Sequence, residues 1–166
     1  MRISAKSDYA LRALLELAAH PDDLVSSEHL ANSQNIPHKF LEAIMSELRR
    51  TSFVVSQRGT GGGHRLQRPA SDIALADVLR ALNGPLVSVR GECPQDLGYD
   101  EPAANLQMVW VAMRVALRTV LETVTLQDLV DGTLPATITE PAAAPDAWIS
   151  HTYDPQSPTA VRPHQQ

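Results

Sequence analysis

A single cysteine, Cys93, stands among the 166 residues of this chain, and that scarcity removes several possibilities at once. One thiol can form neither an internal disulfide nor a cysteine-only zinc or iron–sulfur site within one subunit. It suits a reducing cytoplasm. Long apolar runs are missing as well: every uninterrupted stretch falls far short of the ~20 residues that cross a bilayer as a helix. Met1-Arg2-Ile3-Ser4-Ala5-Lys6 leads straight into charged residues, without the apolar core of a secretory leader. The expected location is therefore the cytoplasm, with no membrane partner. Catalytic groupings are absent too. No nucleophile–base pair, paired carboxylates or metal cluster appears at workable spacing, so no enzymatic activity is expected. The histidines at 20, 29, 38, 64, 151 and 164 show no paired or clustered metal-site spacing. No metal site is expected, and each histidine is expected to face solvent or phosphate.

An excess of positive charge is also lacking, since the formal net charge is -5. Its distribution matters more than its total. Residues 1–70 hold nine Lys/Arg against seven Asp/Glu, whereas residues 71–166 hold five against twelve. A mildly basic head on an acidic body is compatible with a polyanionic partner, because affinity follows the local field of the docking face.

The residues present divide the chain into a succession of elements. Over 6–19, Tyr9, Ala10, Ala13, Leu14 and Leu17 recur at helical spacing, with Ser7-Asp8 as the expected N-cap and Pro21 as the stop. A short helix with a serine cap follows at 26–31, then the turn Gln34-Asn35-Ile36-Pro37. A second helix over 37–50, with Pro37 as its expected first residue, places Leu41, Ile44, Met45 and Leu48 on one face. Its other face carries His38, Lys39, Glu42, Ser46, Arg49 and Arg50. Two short strands, 53–58 and 64–66, flank Gly59-Thr60-Gly61-Gly62-Gly63, the pattern of a hairpin or wing. The glycine run is not a nucleotide loop, because no Gly-Lys-Ser/Thr follows it. A helix at 75–83 is ended by Gly84-Pro85.

An irregular loop over about 88–104, containing Cys93, precedes the longest predicted helix, about 103–123. Its segment Met108-Val109-Trp110-Val111-Ala112-Met113 is apolar all round, which implies burial on two sides. Thr125 caps a last turn that ends at Gly132. Residues 133–166 carry six prolines and no periodicity and are expected to be a disordered tail.

Helix, turn, helix and glycine-tipped hairpin define a winged helix-turn-helix, here mainly α with a small β-hairpin wing and a long dimerisation helix. The polar face of the 37–50 helix suits a major groove: His38 and Lys39 in the first turn suit phosphate, and Glu42 can accept from a cytosine amino group. Gly61 and Gly62 at the wing tip let backbone approach phosphate, while Arg58 suits a narrow minor groove and Arg65 and Arg68 the DNA backbone.

Particular residues go further. Met1-Arg2-Ile3-Ser4, Asp8-Tyr9-Ala10-Leu11-Arg12, Ile36-Pro37-His38-Lys39-Phe40-Leu41-Glu42, Arg58-Gly59-Thr60-Gly61-Gly62-Gly63, Ile73-Ala74-Leu75-Ala76-Asp77-Val78 and Thr125-Leu126-Gln127-Asp128-Leu129 resemble the Rrf2 family of bacterial transcription regulators over about residues 1–132. His64 stands where that family usually has an aromatic residue.

The resemblance implies a repressor or dual regulator whose 26–50 helix-turn-helix and 53–67 wing read double-stranded DNA. It implies a homodimer formed by the long helix, with Val109, Trp110, Met113, Leu117 and Val120 as the expected contact residues, on a palindromic operator. Sensing members hold an iron–sulfur cluster on three cysteines before that helix, sometimes with an acid from the partner's first helix. Here the spacing persists as Cys93, Tyr99 and Asn105, so two thiolates are gone and no cofactor is expected. The alternatives are a cluster or thiol switch using Cys93 and Asp8 across a dimer, with Arg90 assisting the thiol, or a winged-helix adapter for protein partners.

Overall fold

The computed structural model describes residues 3–150. The first helix, α1 (Ala5–Ala18), packs against nearly every other element of the head. Its N-cap is Ser4, whose hydroxyl accepts from the Ser7 N–H at 3.1 Å. The predicted cap, Ser7-Asp8, instead lies inside the helix. Ser7 is fully buried there, its hydroxyl 2.8 Å from that of Ser4 and accepting from Asn83 Nδ2 at 2.7 Å.

Helix α2 (Ser27–Ser33) starts from Ser26, whose hydroxyl takes the His29 N–H. Asn35 turns the chain at a φ of 49°, and α3 (His38–Arg50) follows. Pro37 is the N-cap of α3 rather than its first residue, since its carbonyl accepts from Phe40 and Leu41 at 2.9 and 3.1 Å. The strands β1 (Val54–Gln57) and β2 (Gly63–Leu66) pair antiparallel from Val54 opposite Leu66 to Gln57 opposite Gly63.

Beyond the hairpin, α4 (Leu75–Asn83) ends at Gly84, at a φ of 80°. The long helix α5 (Leu106–Leu121) begins later than the sequence predicts, because 101–105 form a turn. Helix α6 (Leu126–Asp131) carries a reciprocal cap: the Thr125 hydroxyl accepts from the Asp128 N–H, and the Asp128 carboxylate accepts from the Thr125 N–H at 2.8 Å. The hydrogen bonds of Thr125 hold the Asp128 carboxyl below its ordinary range. Leu75 N–H bonds to Val124 O and Leu126 N–H to Ile73 O, both at 3.0 Å. Two stretches fifty residues apart in sequence, 73–75 and 124–126, thereby lock α4 and α6 together.

The tail is not wholly irregular. A short helix, α7 (Ala136–Ala142), follows Pro135 and packs on α5, with Thr137 Oγ1 3.1 Å from Thr123 Oγ1. No residue of α7 is buried, which is why no apolar periodicity announces it. The rest of the predicted tail, 151–166, lies outside the described residues.

The core belongs to a structural head made of α1–α4, the hairpin and α6, which reaches beyond the basic residues 1–70. Leu14, Leu30, Leu41, Leu48, Val54, Ile73 and Leu126 are fully buried, each worth roughly 1.5–3 kcal/mol relative to exposure. In contrast, α5 contributes no buried residue.

Candidate nucleic-acid interface

The amphipathic pattern of α3 decides what it offers to a partner. Leu41, Ile44, Met45 and Leu48 face the core, so His38, Lys39, Glu42, Ser46, Arg49 and Arg50 are all left exposed on the outer face. Three of these, His38, Glu42 and Arg50, are already engaged. His38 Nδ1 lies 3.5 Å from Glu42 Oε1, and Arg50 Nη2 lies 3.7 Å from Glu47 Oε1. Lys39, Arg49 and, on the wing, Arg58 form no ion pair among the described residues. The basic pair Arg49-Arg50 ends the helix, where cations oppose the helix dipole favourably.

The helix is anchored by contacts that its own sequence does not suggest. Lys6 Nζ on α1 donates to Glu47 Oε2 at 3.0 Å and to the Leu82 carbonyl at 2.9 Å, joining α1, α3 and α4. Phe40, the first large apolar residue of α3, is largely exposed and meets Tyr9 edge-on at 6.3 Å.

The wing projects beside this surface. Arg58 is exposed just beyond β1, and a tight turn closes the tip through Gly62 N–H to Gly59 O at 2.9 Å. Gly61 adopts a φ of 81°, which favours glycine. A side chain at Gly62 or Gly63 would collide with main chain, its Cβ falling 2.3 Å from Gln57 O or 2.7 Å from Val25 O. Crowding inside the protein therefore requires these two glycines, whatever the tip contacts outside. Arg65 is exposed on β2, whereas Arg68 lies over the Phe53 ring at 5.0 Å.

His64 departs from the expectation of a solvent- or phosphate-facing ring. It is half-buried, with Nε2 2.9 Å from Ser27 Oγ and Nδ1 2.8 Å from Ser56 Oγ. Its backbone pairs with Val25 in both directions, at 2.8 and 2.9 Å. Burial, and then the nearby Arg49 charge, push its pKa below 6.5. A neutral imidazole with two hydroxyl partners thus joins α2, β1 and β2.

In the loop before α5, the main chain is clamped to the helix. Gln107 Nε2 donates to the carbonyls of Pro94, Gln95 and Leu97 at 3.3, 3.2 and 2.7 Å, and Arg114 donates to Gln95 Oε1. Cys93 is half-buried and precedes a single 3-10 turn, its carbonyl accepting from Asp96 N–H at 2.9 Å. Tyr99 accepts from Trp110 Nε1 at 3.1 Å, and the Arg90 guanidinium sits over its ring at 5.7 Å. Arg90 thus has a partner other than the thiol, which it would assist in the thiol-switch alternative. Asn105 is the N-cap of α5 without a side-chain capping bond. Asp8 is exposed on α1 and paired with Arg12 at 3.2 Å.

Along α5, Met108, Val109, Met113, Val115 and Val120 are exposed, while Trp110, Val111 and Leu117 are half-buried. Of the expected contact residues, Val109, Met113 and Val120 thus stand open. Trp110 and Leu117 are partly covered by their own chain.

The elements and their order decide the family once the chain is set against known proteins. The profile of the Rrf2 family, described as an iron-dependent transcriptional regulator, matches residues 3–132. The chain belongs to the Rrf2 family. It is 46% identical over 136 residues to Rv1287 of Mycobacterium tuberculosis, proposed as an HTH-type transcriptional regulator, covering 81% of this chain and 84% of that one. It is 34% identical over 130 residues to the transcriptional regulator CymR of Bacillus subtilis, covering 78% and 89%.

Among solved structures, that of CymR, described as the global cysteine regulator of B. subtilis, superposes with a TM-score of 0.69 at 32% identity, covering 81% of this chain and 99% of that one. IscR of T. potens superposes with a TM-score of 0.66 at 28% identity, covering 81% and 89%. The chain is thus a DNA-binding transcriptional regulator of winged-helix fold.

One feature of this Rrf2 chain escaped the sequence. Glu16, His20 and His29 each bring a ligand atom within 4.8 Å of the others, where no clustered histidines are predicted. The rings of His20 and His29 lie 5.8 Å apart, edge to face. Burial pushes the Glu16 carboxyl up, but hydrogen bonds from Gln34, His29 and Ser33 outweigh it and hold the group below its ordinary range. The four-residue spacing of Glu16 and His20 is the available sequence signal; His29 arrives only through the turn between α1 and α2. Among the described residues, neither Cys93 nor Asp8 belongs to such a grouping within one chain.

Proposed function

We propose that this Rrf2 regulator is a homodimeric repressor, joined along α5, that reads a palindromic operator from the cytoplasm. The observation that carries the reading is the sixteen-residue α5, apolar along most of its length and without one buried residue. Contiguous exposed apolar surface of this kind marks an interaction site. Val109, Trp110, Met113, Leu117 and Val120 supply the contact. Two copies of α3 then enter successive major grooves, as a two-fold dimer of helix-turn-helix units requires. His38, Lys39, Glu42, Ser46, Arg49 and Arg50 face the bases and phosphates. Arg58 enters the minor groove, with Gly61, Gly62 and Arg65 against the backbone.

In this reading the dimer works without a stable iron–sulfur cluster. Tyr99 and Asn105 offer no thiolate, the Tyr99 hydroxyl is engaged by Trp110, and Asp8 is paired with Arg12. Soft thiolates are what cluster irons ordinarily take.

Sedimentation velocity of the full chain and of Val109→Glu/Met113→Glu, followed by salt-dependent gel shifts on promoter fragments, tests the dimer and the DNA contact together. The expected result is a dimer that selects particular fragments, and a folded, monomeric variant that does not. A wild-type monomer, or binding no better than to random DNA, would overturn the reading. Anaerobic purification with iron and sulfide analysis tests the cofactor, since stoichiometric iron together with sulfide would restore the cluster.

A further inference from the structure

The chain-end of α1 and the start of α2 are brought together by a turn in which His20 N–H bonds to Leu17 O at 3.2 Å and Asp23 N–H to His20 O at 3.3 Å. This return places His29 against the last turn of α1, its Nε2 2.9 Å from Glu16 Oε1. His20 Nδ1 lies 3.9 Å from the same oxygen. The other carboxylate oxygen, Oε2, accepts from Gln34 Nε2 at 2.5 Å, so Gln34 fixes the orientation of the carboxylate. His20 Nδ1 lies 2.9 Å from the Glu16 main-chain carbonyl. A carbonyl only accepts, so Nδ1 carries the proton and the lone pair is left on Nε2. Both are the outer-shell supports found around metal-ligating imidazoles and carboxylates.

We propose that Glu16, His20 and His29 bind one divalent transition-metal ion of the zinc class at the root of the wing. Two imidazoles and one carboxylate are the ligand set of open zinc sites, and a three-ligand set leaves a position for water or a further oxygen. Tetrahedral ligands at zinc distances stand roughly 3.3 Å apart. The three groups offer ligand atoms spread over no more than 4.8 Å, and since the His20 nitrogen beside Glu16 Oε1 is Nδ1, the His20 ring turns to present Nε2 to the ion. His20 and His29 line an open cleft together with Asp22 and Asp23. Those two acids supply negative charge beside the ion. On binding, the ion takes the place of the hydrogen bond between His29 Nε2 and Glu16 Oε1, and the single N–H of the neutral imidazole is carried on Nδ1.

The far wall of the cleft is the wing tip, Gly61 and Gly62. The segment between the two histidines carries Val25, whose backbone pairs with His64, and Ser27, whose hydroxyl meets the His64 ring. An ion that fixes both ends of that segment therefore sets the position of β2. Its effect on DNA affinity rests on the wing's proposed role; the metal site itself does not.

Titration of the tag-free full chain with zinc and with cobalt tests the site without DNA. One equivalent per chain is expected, with cobalt bands of low coordination number. His20→Ala and His29→Ala should each weaken binding at least about tenfold while the far-ultraviolet dichroism is unchanged, and Cys93→Ser should leave binding as it is. Absence of stoichiometric binding, or binding that survives both histidine changes or vanishes with Cys93→Ser, would overturn the site. Gel shifts with and without bound zinc then read the coupling. Wild-type DNA affinity should change with zinc and that of His29→Ala should not, whereas no zinc effect on the wild type removes the link to the wing.

Discussion

The head and α5 solve opposite problems with similar residues. In the head, leucines and isoleucines at helical spacing meet one another across α1, α3, α4 and α6 and disappear from the surface. In α5 an equally apolar sequence meets chiefly a loop, part of α4 and α7, and none of it is fully buried. Apolar pattern alone therefore specifies that a surface must be covered. Whether the cover comes from the same chain depends on what the fold brings beside it.

Truncation in each region breaks or sharpens this contrast most strongly. Leu14→Ala, in the fully buried centre of α1, should cost about 2–5 kcal/mol in chemical denaturation. Val109→Ala on α5 should leave that unfolding transition nearly unmoved and weaken self-association instead, as read by sedimentation. Equal losses of stability from both changes would mean that α5 belongs to the head's core after all.

A second contrast lies within the head, between residues turned outward and residues turned in. Arg58→Ala should reduce specific DNA affinity by roughly 1–3 kcal/mol with no change in the melting profile. Unchanged binding would remove the wing from recognition.

His64 belongs to the inward set, and its effect is read through pH. Its folded pKa is depressed below 6.5, so the unfolded chain binds the extra proton first. Its contribution is thus complete above about pH 6.5 and is lost as pH falls through the folded value. Denaturation midpoints should decline on that acidic side, and His64→Gln should flatten the slope there. A slope that is the same in both proteins would place the titration elsewhere.

The smallest expected effect is at the start of α1. Ser4→Ala removes the acceptor for Ser7 N–H and should cost about 1 kcal/mol. Asp8→Ala, by contrast, breaks only an exposed pair with Arg12 and should be nearly silent.

Much of this was legible beforehand, for identifiable reasons. The apolar stripe of α3 predicts both its buried face and the polar face opposite, because a helix repeats every 3.6 residues whatever surrounds it. The glycine run predicts the wing tip, and Thr125 and Gly132 predict the two ends of α6, because caps and turns are local chemistry. The sequence does not single out Ser4 as the cap of α1, because Ser7 resembles one equally well and only the burial of Ser7 against Asn83 separates them. The inward facing of His64 is not legible in the sequence, because it depends on strand register and on the Val25 segment laid across it.

By itself the sequence determined the order and type of the elements from α1 to α6, the face that α3 shows to a partner, the family, and the loss of two of three thiolates. All of these follow from local periodicity, local caps or residue identity. Only the tertiary structure decided which polar groups meet at a distance. Lys6 with Glu47, Tyr99 with Trp110, and Glu16 with His20 and His29 depend on how helices cross and turns return, and no periodicity along the chain encodes a meeting in space.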